Sequence, residues 1–516
     1  MKHTVKHTII AVALVLVHSA VNAQSVLYVR ADGNDLNDGT SWARAKRTIQ
    51  AAIDAAFAGT EIRVAQGVYQ PIVLTQNLVL KGGYAGTGAN PNDRDPARYP
   101  TIIDGSGTSR VIELDFNATN ATIIEGFIIQ NGRATFDAQW GGAYGGGLRL
   151  YRGSPIIRNN VFRNNRAFGE NAAGSALYIY RGSPIIENNL FEDNFTECTF
   201  SSGTGGALAL DRPENTVIRN NRFIRNRLIS SSEAYGGAVF MSRGSGIIER
   251  NIFLENYAQG GGFQPTSEGG ALYIYNNNGY QIRNNLFAFN QTFADGGFSP
   301  TARGGALGCY TSTAPLQVYN NTFYANRAVT TDAESPGQGY AVYSYEADVD
   351  LRNNILAGHL GSVVYHYGGR EKAIRVSFNC FFNDTPFELD GAVVDDGNNL
   401  FQDPRFVDAD GGDFRLRQGS PCIDAGDNSV VNWSLDLAGN PRIQNGRVDL
   451  GAYEGGVNSG GRPGDVNGDG CVNDADLLTV LFSFGRTGQN PADVNGNGIV
   501  DDADLLIVLF NFGQGC

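Results

Sequence analysis

The segment GGLRLYRGSPIIRNNVFRNN, which begins at Gly146, returns as GSALYIYRGSPIIENNLFEDN from Gly174, and fainter copies follow. Opening glycines at Gly145, Gly174, Gly205, Gly236, Gly269, Gly304 and Gly339 give spacings of 29, 31, 31, 33, 35 and 35 residues. Within a unit, GALYIY and PIIRNNVF each alternate with period two and are separated by turn residues, the pattern of short strands. The variable length falls in one loop. A unit this small cannot bury its own apolar face, so successive units must stack about 4.8 Å apart as a parallel solenoid.

Two columns support that stacking. The residue two after each asparagine pair reads Phe162, Phe191, Phe223, Phe253, Phe287, Phe323 and Leu356, an interior aromatic stack. The second asparagine reads Asn160, Asn189, Asn221, Asn251, Asn285, Asn321 and Asn354. Side-chain amides in such a ladder bond their copies above and below. This pattern resembles the right-handed parallel β-helix family, including its polymorphic outer-membrane and pectate-lyase-like members, over roughly residues 26–456. The expected class is all-β: a β-helix solenoid followed by a small α-helical domain.

Both flanks add to the resemblance. Near the start, YVRADGNDLNDGTSWARAKRTIQAAIDAA and GTEIRVAQGVYQ look like the opening of such proteins, where a short amphipathic helix carrying Ile49, Ala52, Ile53 and Ala56 caps the first coil. From Asn398, GNNLFQDPRFVDADGGDFRLRQGSPCIDAGD and then DLAGNPRIQNGRVDLGAYE resemble the choice-of-anchor Q region, which closes many exported β-helices. The expected organisation is a signal at 1–23, cap and first coils at 24–144, repeats at 145–397, the anchor-like region at 398–454, a linker at 455–464 and a calcium module at 465–516.

Export is expected from Lys2 and Lys6, an apolar run at residues 9–17 and the small-residue site Val21-Asn22-Ala23. No later run approaches the roughly 20 apolar residues that span a bilayer, so a secreted or cell-surface protein without a transmembrane segment is expected. Cleavage would leave 37 basic against 52 acidic residues, a net −15, which makes nucleic acid a poor partner. Only His359 and His366 lie outside the signal, which nearly excludes histidine triads and zinc sites. The six cysteines permit up to three disulfides, with the pairing left open.

On the outside, the residue before each asparagine pair reads Arg158, Glu187, Arg219, Glu249 and Arg283, a ladder of alternating sign that is structural in purpose. The GALYIY strand is different. Counting from the opening glycine, positions three and five should face in, so positions four and six should face out. Those outward positions hold Tyr151, Tyr178, Tyr180, Phe240, Tyr273 and Tyr275, then Tyr310, Tyr343 and Tyr345. At position seven, Arg152, Arg181, Arg212 and Arg243 stack without alternating sign, at an electrostatic cost that a polyanion would relieve. These residues are the candidate site for an extended acidic polysaccharide, with rings on sugar faces and guanidinium groups on carboxylates. The competing reading is that the tyrosines merely suit an exposed strand and the arginines pair with loop carboxylates.

Catalysis is the alternative function: a pectate-lyase-like lyase or a glycoside hydrolase. A lyase needs clustered carboxylates for calcium and a basic group for the α-proton. Asp211 beside Arg212 and the group Glu346, Asp348 and Asp350 are the nearest approach, about four coils apart, and no catalytic pair can be assigned.

After the glycine-rich linker come DVNGDGCVNDAD from Asp465 and DVNGNGIVDDAD from Asp493, each a twelve-residue calcium loop. The first would coordinate through Asp465, Asn467, Asp469, the Cys471 carbonyl and Asp476; the second through Asp493, Asn495, Asn497, the Ile499 carbonyl and Asp504. Gly470 and Gly498 take the turns. Each loop precedes an apolar helix, lacks an entering helix and closes on Asp, as dockerin modules do. That resemblance implies two calcium ions and a cohesin-like partner. Loop positions ten and eleven, Asp474-Ala475 and Asp502-Ala503, depart from the Ser-Thr type that cellulosomal members use for recognition. The second loop, with Asn497 in place of an Asp, should bind calcium more weakly. Cys471 and Cys516 are placed to clamp the module's ends.

Overall fold

The computed structural model describes residues 25–139, 141–332, 334–369, 371–382, 393–457, 464–466, 471–487, 490, 492–495 and 499–514. The expected export signal lies outside them. The chain winds into a right-handed parallel β-helix whose walls are a 21-stranded sheet and an 11-stranded sheet. Leu148, Leu177, Leu208, Val239, Leu272, Leu307, Val342 and Val364 pair in register up the first wall, all facing the core. The elastic loop of each unit is itself ordered. It supplies a seven-stranded ribbon starting at Arg133–Ala134 and a six-stranded ribbon starting at Ala143–Tyr144.

The interior columns follow from the repeat. Phe162, Phe191, Phe223, Phe253, Phe287 and Phe323 are fully buried and stack at centroid separations of 4.7–4.9 Å. Burial of each ring is worth about 1.5–3 kcal/mol, and stacking adds about 0.5–1.5. The asparagine ladder runs from Asn160 through Asn354 to Asn379 and Asn399, each Nδ2 donating to the Oδ1 of the next copy at 2.9–3.2 Å. A second ladder, unremarked in the sequence, joins Asn165, Asn194, Asn226, Asn256, Asn290 and Asn326 in the same way.

Asn221 lies mid-ladder. Its Oδ1 accepts from the backbone N–H and the side-chain amide of Asn189, and its Nδ2 donates to the Ile186 carbonyl. Asn221→Leu leaves these buried groups without a partner at about 1–3 kcal/mol each. A loss of about 3–6 kcal/mol is therefore expected in denaturant unfolding, and a change below 1 would show that the ladder carries little stability.

The N-terminal helix forms as expected. α1 (Ile49–Ala55) starts at Thr48, whose hydroxyl accepts from Ala51 N, and buries Ile49, Ala52 and Ile53 in the main core. The charge ladder also forms, with Arg158, Arg219 and Arg283 meeting Glu125, Glu187 and Glu249 at 2.7, 2.6 and 2.8 Å.

The region after residue 398 does more than close the end. Asn399 extends the ladder, and the chain then turns back along the outside of the 11-stranded sheet. Phe414 packs there against Leu286 and Ala288. The first asparagines of the pairs hold this strap: Asn284, Asn320 and Asn353 each donate Nδ2, at 2.9 Å, to the carbonyls of Leu435, Asp449 and Asp427. Those three asparagines have φ of 52°, 53° and 57°, a corner conformation that aims the amide outward. Gly451 has a φ of 84°, a left-handed conformation that favours glycine, and a Cβ there would crowd Ile355 Cδ1 at 2.7 Å.

In the C-terminal module α2 (Asp474–Ser483) and α3 (Asp502–Phe510) begin with matching capping boxes, Asn473 with Asp476 and Asp501 with Asp504. Val472, Val480, Ala492, Val500 and Val508 form its core. Cys198, Cys309, Cys380 and Cys422 are buried thiols. Cys471 is disulfide-bonded, and Cys516, its expected partner, lies outside the described residues.

Candidate functional site

The structure separates the two outward columns of the GALYIY strand. Position four is not surface. Tyr178 and Tyr273 keep only 9% and 1% of their exposure, Tyr343 none, and Phe240 is half-buried. The six-stranded ribbon folds over them, stacking Tyr144 on Tyr178 at 4.6 Å and Tyr235 on Tyr273 at 4.8 Å. Tyr178 and Tyr273 are therefore withdrawn as glycan contacts. The side chains point away from the coil interior as the alternation requires, but a second layer, built from a loop, buries them.

Position six is surface. Tyr151 stacks on Tyr180 at 5.3 Å, and farther along Tyr275, Tyr310, Tyr345 and Tyr367 form a continuous stack at 4.7–5.4 Å. Rings so arranged spend their faces on each other and show solvent their edges and hydroxyls, so the expected sugar stacking on every ring is corrected to stacking at most where the column is broken. The break is specific. Tyr180 is followed in register by Asp211, Ser242 and then Tyr275. Three coil steps place Tyr180 and Tyr275 about 14 Å apart. Ser242 Oγ donates to Asp211 on the floor of this notch. The Arg212 guanidinium lies 5.7 Å from the Tyr180 ring and the Arg181 guanidinium 5.1 Å.

Position seven lines the rim. Arg181, Arg212 and Arg243 have φ of 64°, 56° and 52°. That left-handed turn costs a long L side chain about 1–2 kcal/mol and suits Asn better. The same turn is made by Asn276 one coil later. Arg212 approaches Asp211 at 4.0 Å, whereas among the described residues Arg152, Arg181 and Arg243 meet no carboxylate. Pairing with loop carboxylates thus fails to explain three of the four arginines. The turn was foreshadowed by the Arg-Gly dipeptides at Arg181-Gly182 and Arg243-Gly244.

Two members of the other acidic group are committed elsewhere. Asp348 pairs with Lys372 at 2.7 Å, and Asp350 binds Arg352 at 3.0 Å and the Tyr319 hydroxyl at 2.7 Å. Ser344 Oγ lies 3.2 Å from His366 Nδ1, but both close the inward-facing position-five column and are buried. Burial also lowers the His366 pKa.

Of the expected calcium ligands, Asp465, Cys471, Asp476, Asp493, Asn495, Ile499 and Asp504 are described; Asn467, Asp469 and Asn497 lie outside the described residues. Asp476 and Asp504 are fully buried. Asp476 accepts from the amides of Val466 and Asn473 at 2.7 and 2.9 Å, Asp504 from those of Asn495 and Asp501, both at 2.9 Å. The two halves thus place one buried carboxylate identically.

A family model described as "protein of unknown function (DUF1565)" matches residues 31–278. No curated protein matches the chain. Three solved structures match the chain with low similarity. A pectate lyase, Pel9A, is 16% identical over 83% of this chain and 96% of its own, with a TM-score of 0.43. XylC, solved with xylose, is 10% identical over 84% and 99%, at 0.36. A rhamnogalacturonan lyase is 16% identical over 72% and 90%, at 0.27.

Proposed function

We propose that this protein is an extracellular β-helix that binds an acidic polysaccharide along the position-six and position-seven columns, centred on the notch between Tyr180 and Tyr275. One observation carries the reading: of the four stacked arginines three, Arg181, Arg212 and Arg243, occupy strained corners, and Arg152, Arg181 and Arg243 meet no carboxylate among the described residues. Guanidinium groups repeated at the coil spacing match carboxylates repeated along a uronate chain. Tyr275 offers a ring to a sugar entering the notch, while Ser242 and Asp211 offer hydroxyl and carboxylate partners.

Arg181→Ala with Arg212→Ala is expected to weaken binding to polygalacturonate about 10- to 100-fold, read by affinity electrophoresis or calorimetry, and to flatten its salt dependence. Unchanged binding to every acidic glycan tried would reduce the stripe to plain surface. The lyase or hydrolase alternative is decided in the same samples by the absorbance of an unsaturated product and by new reducing ends. Asp211 is the one carboxylate among the described residues on the notch floor, which favours binding over a two-carboxylate mechanism.

The C-terminal module serves as the attachment device. Calcium would be held in one loop by Asp465, Asn467, Asp469, the Cys471 carbonyl and Asp476, and in the other by Asp493, Asn495, Asn497, the Ile499 carbonyl and Asp504. The buried, duplicated Asp476 and Asp504 fit a hard cation that prefers oxygen ligands. Bound calcium supplies the positive charge that lets the acidic loops close. A cohesin-like domain is the partner this module implies.

A further inference from the structure

A second site lies away from the notch, where the seven-stranded ribbon begins. Before that point the chain passes from Asp104 to the next wall strand through a tight turn at residues 105–109, with no ribbon strand. From Arg133 each of seven successive coils adds one. The step leaves an inside corner of about 750 Å³. Asp104 and Asn131 lie on its floor; Arg133, Arg166, Phe168 and Glu197 stand on its wall.

The corner's chemistry is unusual for a solvated face. Arg133 and Arg166 are neighbours in register, both exposed, and neither meets a carboxylate among the described residues. Phe168, two residues along the same strand, keeps 41% of its exposure. The Arg166 guanidinium sits 5.8 Å from the Phe195 ring, and both residues line the cavity. Asp104 is held by Gln130 Nε2 at 2.7 Å, Ser106 N at 2.7 Å and Asn131 Nδ2 at 3.0 Å. Burial opposes its ionisation, but those bonds outweigh it and keep its pKa below the usual carboxylate range.

We propose that this corner is a second saccharide site that takes a single sugar acid. Arg133 and Arg166 would receive the carboxylate, Phe168 would cover a C–H face, and Asp104 with Glu197 would accept from hydroxyls. The two acids argue against a polyanion such as a phosphate ester, because like charges in a concave site repel. The geometry favours a ligand with one negative end and a polyhydroxyl body. The site rests on its own residues, so it stands or falls independently of the notch.

The experiment uses the full-length protein with calcium, titrated calorimetrically with digalacturonate, glucuronate and galactose. Arg133→Gln with Arg166→Gln, and separately Phe168→Ala, are expected to weaken sugar-acid binding about tenfold or more, the scale of losing one charge-assisted pair. All three side chains are exposed, and circular dichroism confirms folding. Arg181→Ala with Arg212→Ala should leave this short-ligand binding unchanged while weakening polygalacturonate. The proposal is overturned if the corner variants bind sugar acids as the unaltered protein does, if galactose binds equally well, or if phosphate competes at equal concentration. Loss of polymer binding only in the notch variants, with no sugar-acid binding at all, would overturn the corner and leave the notch standing.

Discussion

Replacing Arg442 by methionine is expected to destabilise the strap by about 3–5 kcal/mol, among the largest effects available from one side chain. Arg442 is fully buried, pairs with Glu454 at 2.9 Å where neither side chain is exposed, and donates to the Asp449 carbonyl at 2.9 Å. Burial lowers the Arg442 pKa and pushes Glu454 up to about 8 despite the opposing pull of Arg442. Asp436 and Asp449 are raised by burial too. Desolvation thus outweighs attraction throughout this cluster, and removing the lone cation leaves three buried acids together. Adding Glu454→Gln should recover part of the loss. A single variant that unfolds with the unaltered protein would contradict this account.

The sign of the pH response follows from the same shift. Glu454 binds its proton more tightly folded than unfolded, where a pKa near 4.3 applies. Its contribution to stability is therefore complete below about pH 4.3 and is lost as pH rises through about 8. Amide exchange across residues 398–457 should accelerate over that window beyond its intrinsic pH dependence. In Arg442→Met the window should move upward, since the charge that lowers the Glu454 pKa is gone.

Chelating calcium is expected to unfold the C-terminal module while the β-helix persists. Eight Asp against one Arg from residue 463 to the end leave −7 in a very small domain. Among the described residues its core is five small buried side chains. At a free calcium concentration 100 times the dissociation constant, each site adds about 2.7 kcal/mol, comparable with the stability of so small a core. Amide protection at residues 474–483 and 502–510 should collapse with a chelator and return with calcium. Calorimetry should resolve two sites, the second weaker because Asn497 stands where the first loop has Asp469. Full protection in the chelated protein would sink the calcium reading.

The legible parts of the fold were those in which one residue's role is copied in every coil. Phe162 through Phe323 and Asn160 through Asn354 repeat at fixed places within a strand, and in-register parallel stacking turns a sequence column directly into a spatial one. The second ladder at Asn165 and its copies is equally periodic in the sequence, five residues after the first. The candidate site was half legible. Alternation correctly turned Tyr178 and Tyr180 away from the interior, but it cannot say whether another layer covers them.

What the sequence by itself determined, then, is the coil: its period, its inward columns, its corner asparagines and its paired acidic loops, all consequences of local geometry repeated at close spacing. The tertiary structure decided which outward residues meet solvent. The ribbon built from the elastic loop buries Tyr178 and Tyr273, the strap of residues 398–454 is caught by Asn284, Asn320 and Asn353, and the missing first ribbon strand opens the corner at Arg133. Each of these depends on contacts between segments of different length and different copy. A period of two along a strand carries no information about what packs above it.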